Sequence, residues 1–297
     1  LKSASFNNPT FSTIMLIINF LISISPTFYP MLAISTITGS DFSQSEAIFP
    51  HSDILSYVTP IFLSTESWFV LVFLFTLLTM LCFVVCLFAS SFIVYLHGFL
   101  NVRIHFLLLP WITGTLGYSI YILSVNSDQY PIPISFPIVM IIIYPFYLLM
   151  LMLLNFADAN SMINPNSFST TWFSLFPFFC PLAIALVSLV GFQCINLPHY
   201  ALIIVAVITA VICILISLQI LFCRPMIFFL ANEIQTTRFF SMATFLILSI
   251  FVVQYDLIFS GIICTLIPIW IAILFVGIHL LYEHVRTSSQ QLLSQID

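Results

Sequence analysis

Ser67-Trp-Phe-Val-Leu-Val-Phe-Leu-Phe-Thr-Leu-Leu-Thr-Met-Leu-Cys-Phe-Val-Val-Cys-Leu-Phe-Ala-Ser-Ser-Phe-Ile-Val-Tyr-Leu96 contains no charged side chain. A bilayer's hydrocarbon core is about 30 Å thick, so a helix needs roughly 20 predominantly apolar residues to cross it. The stretch meets that demand with residues to spare, and comparable apolar runs recur to the end of the chain. A backbone amide left unpaired in lipid costs several kcal/mol, and a helix pairs its amides within the segment. The stretch therefore reads as a membrane-crossing helix, and its recurrence predicts an all-α, polytopic transmembrane helix bundle.

Composition agrees. Hydrophobic residues make up 62% of the 297 and charged residues 5%, too little polar surface to cover a soluble body of this length. Windows of about 19 residues place candidate spans near 12–36, 67–96, 105–124, 131–154, 170–192, 200–222, 239–254 and 257–282. About eight spans are expected, with seven to nine possible, in a single integral membrane domain over 1–297. A polar loop, 37–66, separates the first two spans, and 285–297 forms a short polar C-terminal tail. The segment 155–169, rich in Asn, Ser and Pro, reads as the clearest mid-chain loop. Pro110, Pro145, Pro177 and Pro181 fall in spans three to five and predict local kinks.

Phe occurs 33 times, Gly 7 times, and Lys once, at Lys2. That bias points to a thymine-rich organellar gene. The opening Leu1 fits a non-standard start codon or a trimmed terminus, and no cleavable signal is expected. Lys2, Arg103, Arg224, Arg238 and Arg286 all fall on one side of an eight-span arrangement. Asp41, Glu46, Asp53, Asp128 and Asp256 fall on the other, so both termini are expected on the cytoplasmic or matrix side.

Few side chains can carry chemistry. Glu66, between Pro60 and the long apolar run, is the foremost ionisable candidate. A carboxyl inside a membrane helix must be neutral, paired or in contact with water, whereas one at the helix start is an interfacial cap. His97, Arg103 and His105 gather at one predicted helix connection, where lipid phosphates and acidic side chains are natural partners. Arg224 precedes Pro225, with Glu233 nine residues later. If the helix runs through Pro225, the two form an intramembrane proton-transfer pair; if it stops there, Arg224 is an anchor on the basic side, as the charge pattern favours. Seven cysteines without paired spacing read as small hydrophobes, and six scattered histidines predict no metal or haem ligation. No catalytic residue, no metal and no cofactor of its own are expected. Bound phospholipid is expected, with other membrane subunits as partners and no nucleic acid.

Ile61-Phe-Leu-Ser-Thr-Glu66-Ser-Trp-Phe resembles the third helix of cytochrome c oxidase subunit III, where a Ser-Glu or Thr-Glu step is followed by an aromatic-rich run. Leu87-Phe-Ala-Ser-Ser-Phe-Ile-Val-Tyr-Leu-His97 is similar to that family's next helix. The resemblance implies a multi-pass, non-redox subunit of a respiratory complex of the mitochondrial inner membrane, a terminal oxidase, with Glu66 lining a lipid-filled cleft or proton-entry region. Arg224 with Glu233, followed by a final helix ending Leu281-Tyr-Glu-His284, is similar to ATP synthase subunit a. That resemblance implies a proton half-channel with Arg224 and Glu233 essential. A lineage-specific respiratory-complex subunit or a carrier is the remaining alternative.

Overall fold

The computed structural model describes residues 9–24, 27, 66–88, 94–124, 133–160, 174–193, 199–255 and 258–293. Among them are eight helices and no strand: α1 (Pro9–Ile24), α2 (Glu66–Phe88), α3 (Val94–Ser124), α4 (Ser135–Ala159), α5 (Phe176–Gln193), α6 (His199–Cys223), α7 (Phe229–Tyr255) and α8 (Ile258–Leu293). The all-helical expectation holds. Three segments, Ser135–Ala157, Ile203–Cys223 and Ile269–Ser288, are long and apolar enough to cross a membrane.

Polarity is distributed inside out. On α2, Val72, Phe73, Leu77, Met80 and Phe83 are buried, while Leu71, Leu74, Phe75, Leu78, Leu81 and Val85 stand exposed on the other face. Both faces are apolar, so the outer one must be covered by lipid or by another apolar surface. Buried polar groups lie between the helices instead: Thr113, Ser119, Ser188, Thr209 and Ser217 are all covered. Thr113 donates to Leu109 O at 2.7 Å, Thr115 to Trp111 O at 3.1 Å and Ser119 to Thr115 O at 2.7 Å. Such i−4 bonds let hydroxyls enter an apolar interior without an unmet donor.

The helices pack in two linked groups. α3 meets α1, α2, α4 and α5, while α7 lies against α1, α6 and α8, and α5 against α6 joins the halves. Pro110, Pro145 and Pro181 lie within continuous helices. α5 opens with Ser174 Oγ accepting from the Phe176 N–H at 3.1 Å, the usual way a hydroxyl satisfies a free helix-end donor. Asn160 holds the start of α5 to the end of α4: its Nδ2 donates to Ser174 O at 3.1 Å, and its Oδ1 accepts from Ser174 N at 2.9 Å.

Several boundaries differ from the sequence reading: α2 ends at Phe88 against a span expected over 67–96, and α8 runs on to Leu293, past the span end expected at 282 and into the expected tail. α3 begins at Val94 and runs 31 residues, so His97, Arg103 and His105 stand on one helix instead of in a connection. At 1.5 Å per residue it is about 46 Å long, which leaves its first turns room to project beyond a hydrocarbon core of about 30 Å. α7 begins at Phe229, ten residues before the predicted span at 239, and so takes in Asn232, Glu233, Gln235 and Arg238. Arg238, assigned from sequence to a basic connection, is fully buried inside α7, and the one-sided count of five basic residues loses that member.

The turn between α6 and α7 explains how a polar segment could continue as helix. Arg224 has a positive φ of 46°, and its N–H bonds Ile220 O at 3.0 Å, a left-handed cap that ends α6. Pro225, which has no N–H to extend a helix, follows directly. Asn232 then folds back on the turn: its Oδ1 accepts from Met226 N at 3.0 Å, and its Nδ2 donates to Met226 O at 2.8 Å. Both residues are buried. Asn232→Ala strands a buried amide and a buried carbonyl, and the expected loss is about 3 kcal/mol of stability. Thermal unfolding in a mild detergent checks this; a loss under about 1 kcal/mol, below that of an ordinary unmet pair, refutes the role given to Asn232.

Candidate functional site

The first half of α7 reads Ala231-Asn-Glu-Ile-Gln-Thr-Thr-Arg-Phe239, and every one of these residues is buried. A helix this polar survives in an apolar bundle only if its side chains find partners. They do so partly along the helix itself. Thr236 donates to Asn232 O at 2.7 Å, Thr237 to Glu233 O at 2.8 Å, and Arg238 Nη1 to Gln235 Oε1 at 3.2 Å.

The remaining partners come from α1, α6 and α8. Arg238 Nε donates to Ser23 Oγ at 2.7 Å and Nη2 to Asn19 Oδ1 at 3.1 Å, so the guanidinium joins α7 to α1. Its carbon also sits 5.5 Å from the centre of the Phe239 ring. Ser217 on α6 donates to Thr236 O at 3.0 Å. Tyr282 on α8 donates to Ile220 O at 3.2 Å, and its oxygen lies 3.4 Å from Thr236 Oγ1. These bonds fix one polar seam through four helices.

One end of the seam reaches the surface through an acid and a base. His279 Nδ1 on α8 lies 3.1 and 3.2 Å from the two carboxylate oxygens of Glu233. The Glu233 side chain is 2% exposed and the His279 side chain 49% exposed, so the pair spans interior and exterior. The contact joins a carboxyl to an imidazole, the two side-chain types most used in general acid–base chemistry.

Arg224 stands at the same end. Its guanidinium carbon lies 5.6 Å from the centre of the Phe229 ring and 5.1 Å from that of Tyr282, within cation–π range of both. The helix break at Cys223 places it at the end of α6 and not within a continuous span, as the anchor alternative expected.

The other sequence candidates disperse. Glu66 is the first residue of α2; its side chain, and those of His97 and Arg103, lie outside the described residues. His105 is buried on α3, with Nδ1 3.1 Å from the Tyr147 hydroxyl and its ring against Phe83. Beside it, Thr113 and Tyr144 meet at 2.6 Å between hydroxyl oxygens. This cluster holds α3 to α4, well separated in the helix order from Glu233. Among the described residues no group of three or more His, Cys, Asp or Glu side chains is arranged to hold a metal ion.

Asn19, Ser23, Arg238, His279 and Tyr282 were not anticipated as a site. Part of the signal was present: Asn19 and Ser23 are four apart, as are Asn232 and Thr236, and Glu233 and Thr237, the spacing that puts side chains on one helical face. The pairing of α7 with α1 and α8 has no such local mark. No protein-family model, curated protein or solved structure matches the chain.

Proposed function

We propose that this chain is a multi-pass subunit of a proton-translocating membrane complex, and that Glu233 and His279 exchange protons between the bundle interior and its flank. The observation that carries this reading is the contact at 3.1 Å between a covered carboxylate and a half-exposed imidazole. Intramembrane ionisable groups are costly, and those that persist mark ion or proton pathways. Buried hydroxyls and amides of α7 continue inward from Glu233 and supply further hydrogen-bonding positions.

The eight helices serve as about eight spans in this proposal, with both termini on the matrix side of the mitochondrial inner membrane. The residue bias supports an organellar origin, the resemblances supply the compartment, and Lys2, Arg103, Arg224 and Arg286 still support the orientation. Protease protection of terminal tags is expected to place both ends on one face; tags on opposite faces refute the even count.

Between the two resemblances, Glu233 favours a proton-conducting role like that of ATP synthase subunit a. His279 replaces Arg224 as the partner of the carboxyl in this proposal, because Arg224 caps α6. The subunit III reading rests on 61–69 and 87–97, whose side chains are outside the described residues. Proton uptake by the intact complex, purified through a tag on this chain and reconstituted into vesicles, tests the proposal. Uptake that depends on the Glu233 carboxyl supports it, and undiminished uptake without that carboxyl overturns it.

A further inference from the structure

A cavity of about 400 Å³ opens where the end of α6 meets α8, lined by Leu221, Phe222, Arg224, Leu281, Tyr282 and Val285. Its volume falls in the range of small-molecule sites, and its walls combine hydrocarbon with a single cation. Leu281 and Val285 are four apart on α8 and line it together, while Phe222 is 78% exposed on the α6 side. Tyr282 donates its hydroxyl to Ile220 O and sets its ring against the Arg224 guanidinium, so it lines the groove as the support of that cation.

Among the described residues the cation is flanked by rings and takes no carboxylate partner. Two aromatic rings flank the Arg224 guanidinium, and among the described residues none accepts a hydrogen bond from it. The nearby carboxylates are engaged elsewhere: Glu233 with His279, and Glu283 with Arg286 at 3.4 Å. Arg224 directly follows the span Ile203–Cys223, and Tyr282 and Val285 lie in the last turns of the span Ile269–Ser288. A planar fork of N–H donors at a span end, above an apolar groove, matches a phosphate attached to an acyl chain.

We propose that this groove binds one anionic phospholipid, its phosphate on Arg224 and its acyl chain along Leu221, Phe222, Leu281 and Val285. The proposal rests on the membrane reading and not on proton exchange, so loss of proton uptake in a Glu233 variant leaves it intact. The single positive charge selects an anionic headgroup, and the apolar walls select its chain over free phosphate.

The full chain in its complex, placed in nanodiscs of mixed phosphatidylglycerol and phosphatidylcholine, tests this by quantifying the lipid retained after delipidation. Phosphatidylglycerol is expected to be retained about fivefold over its share of the mixture, the effect of one basic residue at the headgroup level. Arg224→Gln should remove that preference, and Val285→Trp should lower retention of both lipids by filling the groove. Arg286→Gln, at an exposed arginine on the same helix, should leave the preference unchanged. Equal retention of the two lipids by the unaltered protein overturns the proposal, as does a preference that survives Arg224→Gln or falls equally with Arg286→Gln. Displacement of phosphatidylglycerol by inorganic phosphate reassigns the site to the free ion and overturns the lipid. If Arg224→Gln disturbs folding, Val285→Trp decides: unchanged retention in that variant rejects the groove.

Discussion

Proton uptake by vesicles carrying the Glu233→Gln complex is expected to fall about a hundredfold, the lower range of what a positioned acid–base group contributes. Glutamine keeps the size of the side chain and can still hydrogen-bond His279, but it cannot take and release a proton. Packing around α7 should therefore persist, and the yield of the assembled complex should match that of the unaltered protein. Glu233→Asp shortens the reach to the imidazole, now 3.1 Å from the carboxylate, and should give intermediate uptake. His279→Gln should cost less than Glu233→Gln, because the half-exposed imidazole stands on the flank of the bundle while the carboxyl is covered. Full uptake with Glu233→Gln at normal assembly removes proton exchange from the account. A complex that fails to assemble with Glu233→Gln but assembles with Glu233→Asp assigns Glu233 a packing role instead.

Arg238→Ala should destabilise the chain by about 4 kcal/mol, the sum of the cavity left by a fully buried side chain and the hydrogen bonds its neutral partners lose. The guanidinium holds Ser23 and Asn19 of α1 and Gln235 of α7, and its loss leaves the buried Ser23 and Gln235 facing a cavity. α1 should then detach first, so limited proteolysis near the N-terminus should precede loss of helical signal on heating. Arg238→Lys keeps the charge but reaches fewer acceptors, and its loss should be smaller. Ser23→Ala and Asn19→Ala should each cost about 2 kcal/mol, because each leaves a donor of the buried guanidinium unmet. A loss under about 1 kcal/mol for Arg238→Ala shows that α1 is held by apolar packing alone.

The membrane character and helical class were legible because solvent transfer acts on every residue independently of its neighbours. Runs such as Ser135–Ala157 or Ile203–Cys223 reach the length needed to cross lipid, whatever they pack against. The approximate positions of the helices follow from the same sum. Arg224-Pro225 as the end of α6 was readable too, since a proline that lacks an N–H punctuates a helix locally.

The polar helix was not legible, for the same reason in reverse. A hydropathy window scores Asn232, Glu233, Gln235 and Arg238 as though each faced lipid, and so assigns them to a connection. Their cost vanishes only when Ser23, Asn19, Met226 and His279 supply partners from α1, the preceding turn and α8. Those residues are separated from α7 by up to 219 positions, and no local pattern announces them. On α2 the inner and outer faces are equally apolar, so sequence cannot say which one meets the bundle. By itself the sequence determined a helical chain built to be solvated by hydrocarbon, because hydrophobicity is a sum over single residues. Only the tertiary structure decided which faces pair, that α7 lies inside, and that a carboxyl meets an imidazole there, because hydrogen bonding depends on which distant groups the fold brings within about 3 Å.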